Sequence, residues 1–342
     1  MAPGDITLAE IKSQPETWRA ALDIVARHGQ EVADRWATGG YERVLLTGCG
    51  STYYLSVIGS ELLRAQLGIT ARAYPATELL LYPDHYLDPG QRTLLLTVSR
   101  SGVTRETRAA VSAFRQYGKG ETAAICCYGE SGLVADVDWS LVVNEAREES
   151  RVQTRSFSSM TVLAQAVAAL GHLAPDVVNE ALAPLPEITA GLLADYEDLA
   201  RQLGGKPDTA QYMFLGSGVR YGLACEAMLK MMEMSVLPSM AFQPLEFLHG
   251  PRYVINPQTI VVALLDGSVY DEEVRALEEA RQRGATVLAL TAGTAVDGPW
   301  DHRVTLPADL PAWVRPVLYL PVLQLLGFYQ ARARGRNPDH LV

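Results

Sequence analysis

The chain alternates short apolar runs with longer segments of helical period. Val44–Thr47, Thr93–Val98 and Thr122–Cys127 are apolar without a polar interruption, as strands buried on both faces of a parallel sheet must be. Helical patterns separate them: Leu8–Trp36, Tyr53–Leu67, a stretch opening at Ser99–Thr104 and running to Gln116, and Phe157–His172. Ile69–Tyr74 and Ser140–Val143 read as further strands. Pro175–Pro207 is dotted with prolines, and a helix over about 188–203 bridges to a second series. That series runs through strands at Tyr212–Leu215, Ile260–Leu265, Thr286–Leu290 and Val304–Leu306, with helices at Arg220–Val236, Asp271–Arg283 and Trp313–Arg334. This is an α/β chain of two flavodoxin-like halves with parallel sheets flanked by helices, divided at 1–175 and 176–342.

The halves read as copies. A shift of 168 residues carries Gly48, Gly50, Tyr53 and Leu55 onto Gly216, Gly218, Tyr221 and Leu223, and Leu94–Thr97 onto Val262–Leu265. The copies differ in chemistry. After its strands the first presents Gly50, Ser51 and Thr52, then Ser99, Arg100, Ser101 and Thr104. On the same shift the second has Gly267, Val269 and Glu272. Hydroxyls beside helix N-termini at the carboxyl edge of a parallel sheet suit an anion, and a phosphate is the reading favoured over plain N-caps. Acids there would repel one. A polar stretch after a strand, Glu145–Ser159, carries Glu149, Val152 and Thr154 and reads equally as a capping loop or a ligand loop.

The 220–236 helix is apolar on nearly every side, yet Glu226, Lys230 and Glu233 share one stripe at i, i+4 and i+7. Such charges are paired or line a wet cavity; a structural ladder reaching a surface is the alternative. Lys230 is one of four lysines against twenty-five arginines, so a compact ammonium is wanted there. Glu246 and His249 follow before Gly250-Pro251, and Glu, Lys and His in one stretch supply general acid–base groups.

Composition narrows the class. A net charge of −10 argues against a nucleic-acid face, and no apolar run reaches membrane-span length. Four cysteines without C-x-x-C spacing, and a start without a signal pattern, point to reduced thiols in the cytoplasm. No metal site is indicated.

GCGSTYY, SRSGVTRET, the E-x-x-x-K-x-x-E helix and E-x-x-HGP together resemble the sugar isomerase (SIS) family, in particular the isomerase half of glucosamine-6-phosphate synthases. The resemblance runs from Glu10-Ile11 and Gln14-Pro15 to Asn337-Pro338-Asp339. It implies two SIS subdomains, usually in a homodimer, and a sugar-phosphate substrate without cofactor. The phosphate would lie on Gly50, Ser51, Thr52, Ser99, Arg100, Ser101 and Thr104, with Val152 and Thr154 at the sugar hydroxyls. Glu233 would move a proton between C1 and C2, and His249, reaching in from the partner subunit, would open the ring; Lys230 and Glu226 would support them. The glutaminase half and a C-terminal imine-forming lysine have no counterpart, and Arg100 stands where the synthase has glutamine. These departures imply an isomerase or deaminase of a 6-phosphorylated amino sugar or ketosamine, with an ammonia-dependent synthase-like isomerase as one alternative and a non-catalytic phosphosugar sensor as another. The roughly forty residues before Val44 leave no room for the DNA-binding domain that SIS regulators carry.

Overall fold

The computed structural model describes residues 2–267, 270–292 and 297–340. The chain packs as two compact units. The first comprises Ser13–Glu148 and Gln153–Glu187; the second comprises the described residues of Met1–Lys12, Glu149–Val152 and Ile188–Val342. Packing therefore does not follow a linear division at 175/176. Helix α1 (Asp5–Lys12) packs with the second unit because the Asp339 carboxylate accepts the Gly4 and Thr7 N–H groups and the Thr7 hydroxyl. Residues 149–152 join it through the buried Glu10, whose carboxylate accepts the Glu149 N–H at 2.6 Å, the Ser150 N–H at 3.3 Å and the Ser150 hydroxyl. This gives the Glu10 of the opening motif a structural task.

In the first unit the elements run α2 (Gln14–Gly39), β1 (Arg43–Gly48), α3 (Ser51–Leu67), β2 (Thr70–Pro75), α4 (Ala76–Leu81), α5 (Pro83–Tyr86), β3 (Arg92–Ser99), α6 (Arg105–Tyr117), β4 (Lys119–Cys126), α7 (Gly132–Asp136), β5 (Trp139–Val142), α8 (Arg155–Ala169) and α9 (Pro175–Leu182). The parallel sheet has the order β2-β1-β3-β4-β5. The apolar runs become strands buried along nearly their whole length, with helices on both faces. Helix α8 is buried at almost every position, as its composition demands.

The second unit repeats this plan. Helix α10 (Leu185–Gly204) leads into β6 (Gln211–Gly216), α11 (Val219–Ser235), β7 (Ser239–Phe242), α12 (Pro244–Phe247), β8 (Thr259–Asp266), α13 (Tyr270–Gln282), β9 (Thr286–Ala292), β10 (His302–Leu306) and α14 (Leu320–Ala333). Its sheet order is β10-β9-β8-β6-β7, again all parallel. Read through the 168-residue shift it is the same order as in the first unit. Gly50 (φ 57°, ψ −126°) and Gly218 (φ 55°, ψ −130°) precede 17-residue helices, and both hold a left-handed backbone that an L side chain resists.

The repeat is not uniform. Arg43 pairs with Thr93 in one sheet, and Gln211 with Thr259 in the other. The shift that carries Arg43 onto Gln211 thus overshoots by two residues on the next strand, because only residues 255–258 lie between the 3-10 turn Pro251–Val254 and Thr259, against 87–92 between α5 and Thr93. By register Ser99, Ser101 and Thr104 correspond to Leu265, Gly267 and Tyr270, not to Gly267, Val269 and Glu272; Val269 lies outside the described residues. The expected closing helix over 313–334 is also divided, into a 3-10 turn at Arg315–Tyr319 and α14, with Pro316 and Pro321 at the two starts.

Candidate functional site

The glycine turn after β1 brings Ser51 and Thr52 to the first turn of α3, each only 4% exposed. Thr52 Oγ1 accepts the Cys49 N–H at 3.0 Å and donates to the Cys49 carbonyl at 2.9 Å, so it braces its own turn. The N-cap of α3 is Gly50, which supplies no capping oxygen. On the neighbouring strand Ser99 is buried and its Oγ accepts the Gly102 N–H at 3.0 Å, while Ser101 Oγ accepts the Val103 N–H at 3.4 Å. Thr104 is the N-cap of α6 but makes no side-chain cap bond. Neither helix start is therefore capped by a side chain; in α3 the Thr52 and Tyr53 N–H groups donate to the Cys49 and Gly50 carbonyls, so the start of α6 is the better placed to offer first-turn N–H groups to an anion. The 99–104 turn is clamped from behind. Gly102 has φ +64°, a Cβ there would fall 2.0 Å from Ser131 Oγ, and its carbonyl accepts the Leu133 N–H at 3.0 Å.

Arg100, between the two serines, has Nη1 3.3 Å from the Glu148 carboxylate, whose side chain is completely buried. Glu148 also accepts the Thr154 N–H at 2.5 Å, the Thr154 hydroxyl at 2.9 Å, the Ser156 N–H at 3.2 Å and the Ser156 hydroxyl at 2.5 Å. Glu148 has no place in the sequence reading. Three glutamates crowd Glu145–Glu149, and in a loop without periodicity nothing in the pattern marks which one turns inward. Nearby Cys127 is fully buried; burial first, then the Glu148 charge, pushes its thiol well above the ordinary range, so it is a poor nucleophile. Thr154 is inaccessible and its hydroxyl is engaged by Glu148.

In the second unit Val152 has a fully buried side chain in an apolar cluster with Ile11, Leu193, Met234, Leu325 and Phe328. It belongs to the core and presents no accessible surface to a ligand, against the expectation that it meets the sugar hydroxyls.

The charged stripe on α11 has the expected geometry. Lys230, 2% exposed, places Nζ 3.6 Å from Glu226 Oε1 and in direct contact with Glu233 Oε2. Glu226 is 1% exposed, whereas the Glu233 side chain is 27% exposed. The helix is not apolar and buried all round, because Met232 and Val236 beside Glu233 are exposed. The ladder thus runs from the interior to a surface and ends in a carboxylate that solvent or a ligand can reach. Glu246, within α12, and His249, on the turn after it, are exposed; the His249 N–H donates to the Glu246 carbonyl at 3.0 Å and Gly250 adopts φ 133°.

At the corresponding edge of the second sheet the small hydroxyls are gone, Leu265, Gly267 and Tyr270 standing in register with Ser99, Ser101 and Thr104, and ion pairs gather there instead. Arg220 occupies the place of Thr52. Its Nη2 lies 2.8 Å from Glu273 Oε1, and its Nε donates to the Leu264 carbonyl at 3.0 Å. Arg315 reaches Asp266 at 3.2 Å. The acids of this edge are paired within the chain. Among the described residues no group of three or more His, Cys, Asp or Glu could hold a metal ion, and no helix is long and apolar enough to cross a membrane.

A family model described as SIS domain matches residues 41–172 and 208–325. Glutamine–fructose-6-phosphate aminotransferase from Methanothermobacter thermautotrophicus is 28% identical over 97% of this chain, and the Pyrococcus horikoshii protein of the same name is 26% identical over 97%. This chain covers 55% of each, so it spans about half the length of these curated relatives. The C-terminal domain of glucosamine-fructose-6-phosphate aminotransferase from Francisella tularensis superposes with a TM-score of 0.86 at 20% identity, covering 98% of both chains. A putative tagatose-6-phosphate ketose/aldose isomerase from Clostridium novyi gives 0.90 at 23%, covering 98% of this chain and 91% of that one. Glucosamine-6-phosphate deaminase from Thermotoga maritima gives 0.73 at 26%, covering 94% and 98%.

Proposed function

The chain belongs to the SIS domain family, and from that premise we propose that it interconverts the aldose and ketose forms of a 6-phosphorylated amino sugar or ketosamine, with release of the amine. The observation that carries this reading is the α11 ladder, in which a buried ammonium grips a carboxylate that remains part-exposed. Glu233 takes the proton from one of C1 and C2 and returns it to the other, a transfer that needs one mobile carboxylate and no cofactor. Lys230 fixes its orientation, and Glu226 balances the charge of Lys230. The phosphate sits on the turns at Ser51–Thr52 and Ser99–Thr104, received by N–H groups and hydroxyls, with Arg100 beside them. His249 opens the sugar ring. Its exposure suits a residue that serves the site of a second subunit in a homodimer. Lys230, held between two carboxylates, stays protonated and does not attack the sugar carbonyl; the amine already on the substrate supplies the imine, and water adds to that imine carbon so that the C–N bond breaks and the amine leaves with a carbonyl in its place.

The direct test is Glu233→Gln, which keeps the shape but cannot accept a proton. Phosphosugar binding should persist, while exchange of the C1/C2 proton with deuterium solvent falls by about 10²–10⁴. Parent-rate exchange in the variant would make Glu233 structural. A panel of amino-sugar and ketosamine phosphates, assayed for ammonia and for ketose–aldose exchange, identifies the substrate.

A further inference from the structure

We propose that Glu148 is a positioning residue that sets the charge of the phosphate turn and ties that turn to the loop carrying Thr154, an inference that rests on the phosphosugar reading above. Arg100 is the only charged residue between Ser99 and Thr104. Its guanidinium is 24% exposed and lies 3.3 Å from a carboxylate with no exposure at all. That carboxylate also receives two main-chain N–H groups and two hydroxyls from Thr154 and Ser156. A carboxylate holding this many donors is fixed in place, so it also fixes the direction in which Arg100 points. Two results follow. The turn meets the phosphate with neutral donors while the Arg100 charge is already balanced, so binding depends on geometry more than on net attraction. The phosphate turn and the Thr154 loop also move as one piece, because a single side chain bonds to both.

The experiment measures binding of inorganic phosphate to the full chain by calorimetry across a salt series, for the parent, Glu148→Gln, Arg100→Gln and the double variant. Glu148→Gln unbalances Arg100. Phosphate should then bind about tenfold more tightly, with a steeper loss on adding salt. Glu148→Gln/Arg100→Gln should bring both affinity and salt slope back to the parent values, a reversal that a merely structural role would not produce. Arg100→Gln alone leaves the buried Glu148 charge unbalanced behind the turn and should weaken binding about tenfold. A folded Glu148→Gln variant with parent affinity and salt slope overturns the proposal, as does a double variant that does not revert. If Glu148→Gln fails to fold, Arg100→Gln decides: weakened binding supports the proposal and unchanged binding overturns it. A parent chain that binds phosphate while the variants do not differ removes only this role of Glu148; a parent that binds none overturns the phosphosugar reading as well.

Discussion

Replacing Lys230 with methionine tests the α11 ladder directly. Met matches the length of the lysine stem and removes only the ammonium. Two carboxylates then lose their counter-charge, with unequal consequences. Glu233 is 27% exposed and can be solvated where it stands, so its share is that of a surface pair, about 0–1 kcal/mol. Glu226 is 1% exposed and cannot turn to water. Leaving a buried charge without its opposite costs about 3–5 kcal/mol, and most of the loss falls on Glu226. Lys230→Met should therefore lower unfolding stability by about 3–5 kcal/mol, read from urea titration followed by tryptophan fluorescence. Adding Glu226→Gln should recover about 2 kcal/mol or more, since a neutral amide needs no counter-ion. Adding Glu233→Gln should recover at most about 1 kcal/mol. A Lys230→Met variant within about 1 kcal/mol of the parent, or equal rescue by both second changes, would refute this account of the ladder.

Ser101→Ala, which removes a hydroxyl from the phosphate turn, should weaken fructose 6-phosphate binding about tenfold by calorimetry; unchanged affinity in Ser99→Ala/Ser101→Ala places the phosphate elsewhere. Inactive His249→Ala mixed with inactive Ser99→Ala/Ser101→Ala should regain activity after verified subunit exchange, and no recovery would put the whole site within one chain. Burial alone would raise the Asp339 carboxyl, but the Thr7 N–H and hydroxyl and the Gly4 N–H outweigh it and hold its pKa below the usual value. A depressed folded pKa contributes stability that is fully present above the unfolded value of about 4 and is lost as pH falls through the folded one. The melting-temperature gap between parent and Asp339→Asn should therefore be largest near neutral pH and close in acid; a gap that is constant down to about pH 3 would remove this carboxylate from the account.

How much was legible depended on how strongly one physical demand dictated each stretch. Strands β1, β3 and β8 were readable because a strand covered on both faces must be an unbroken apolar run. The Glu226–Lys230–Glu233 contact was readable because helical spacing alone brings those side chains together. Strand β7, four residues at the sheet edge and mostly half-buried, carries too little alternation to stand out. Short α4 and α5 left no full period to detect, and α9 was lost among prolines. The hydroxyls of Ser99, Ser101 and Thr104 were identifiable by type, but the engagement of Thr52 and Thr154 by neighbouring groups was not, since a residue name does not say where its hydroxyl points. Glu148 lay beyond reach for the same reason.

The second copy arrives already loaded. At the edge of β8, Glu273 supplies a carboxylate to Arg220, and Asp266 supplies one to Arg315. Both acids are tethered to the chain they bind, so they meet the arginines at an effective concentration on the order of millimolar or higher without a diffusing partner. A soluble anion would have to displace a ligand that cannot diffuse away. On the phosphosugar reading proposed above, two like halves then offer one open anion seat per polypeptide, and a saturating titration would level off at a single phosphate for each chain rather than two.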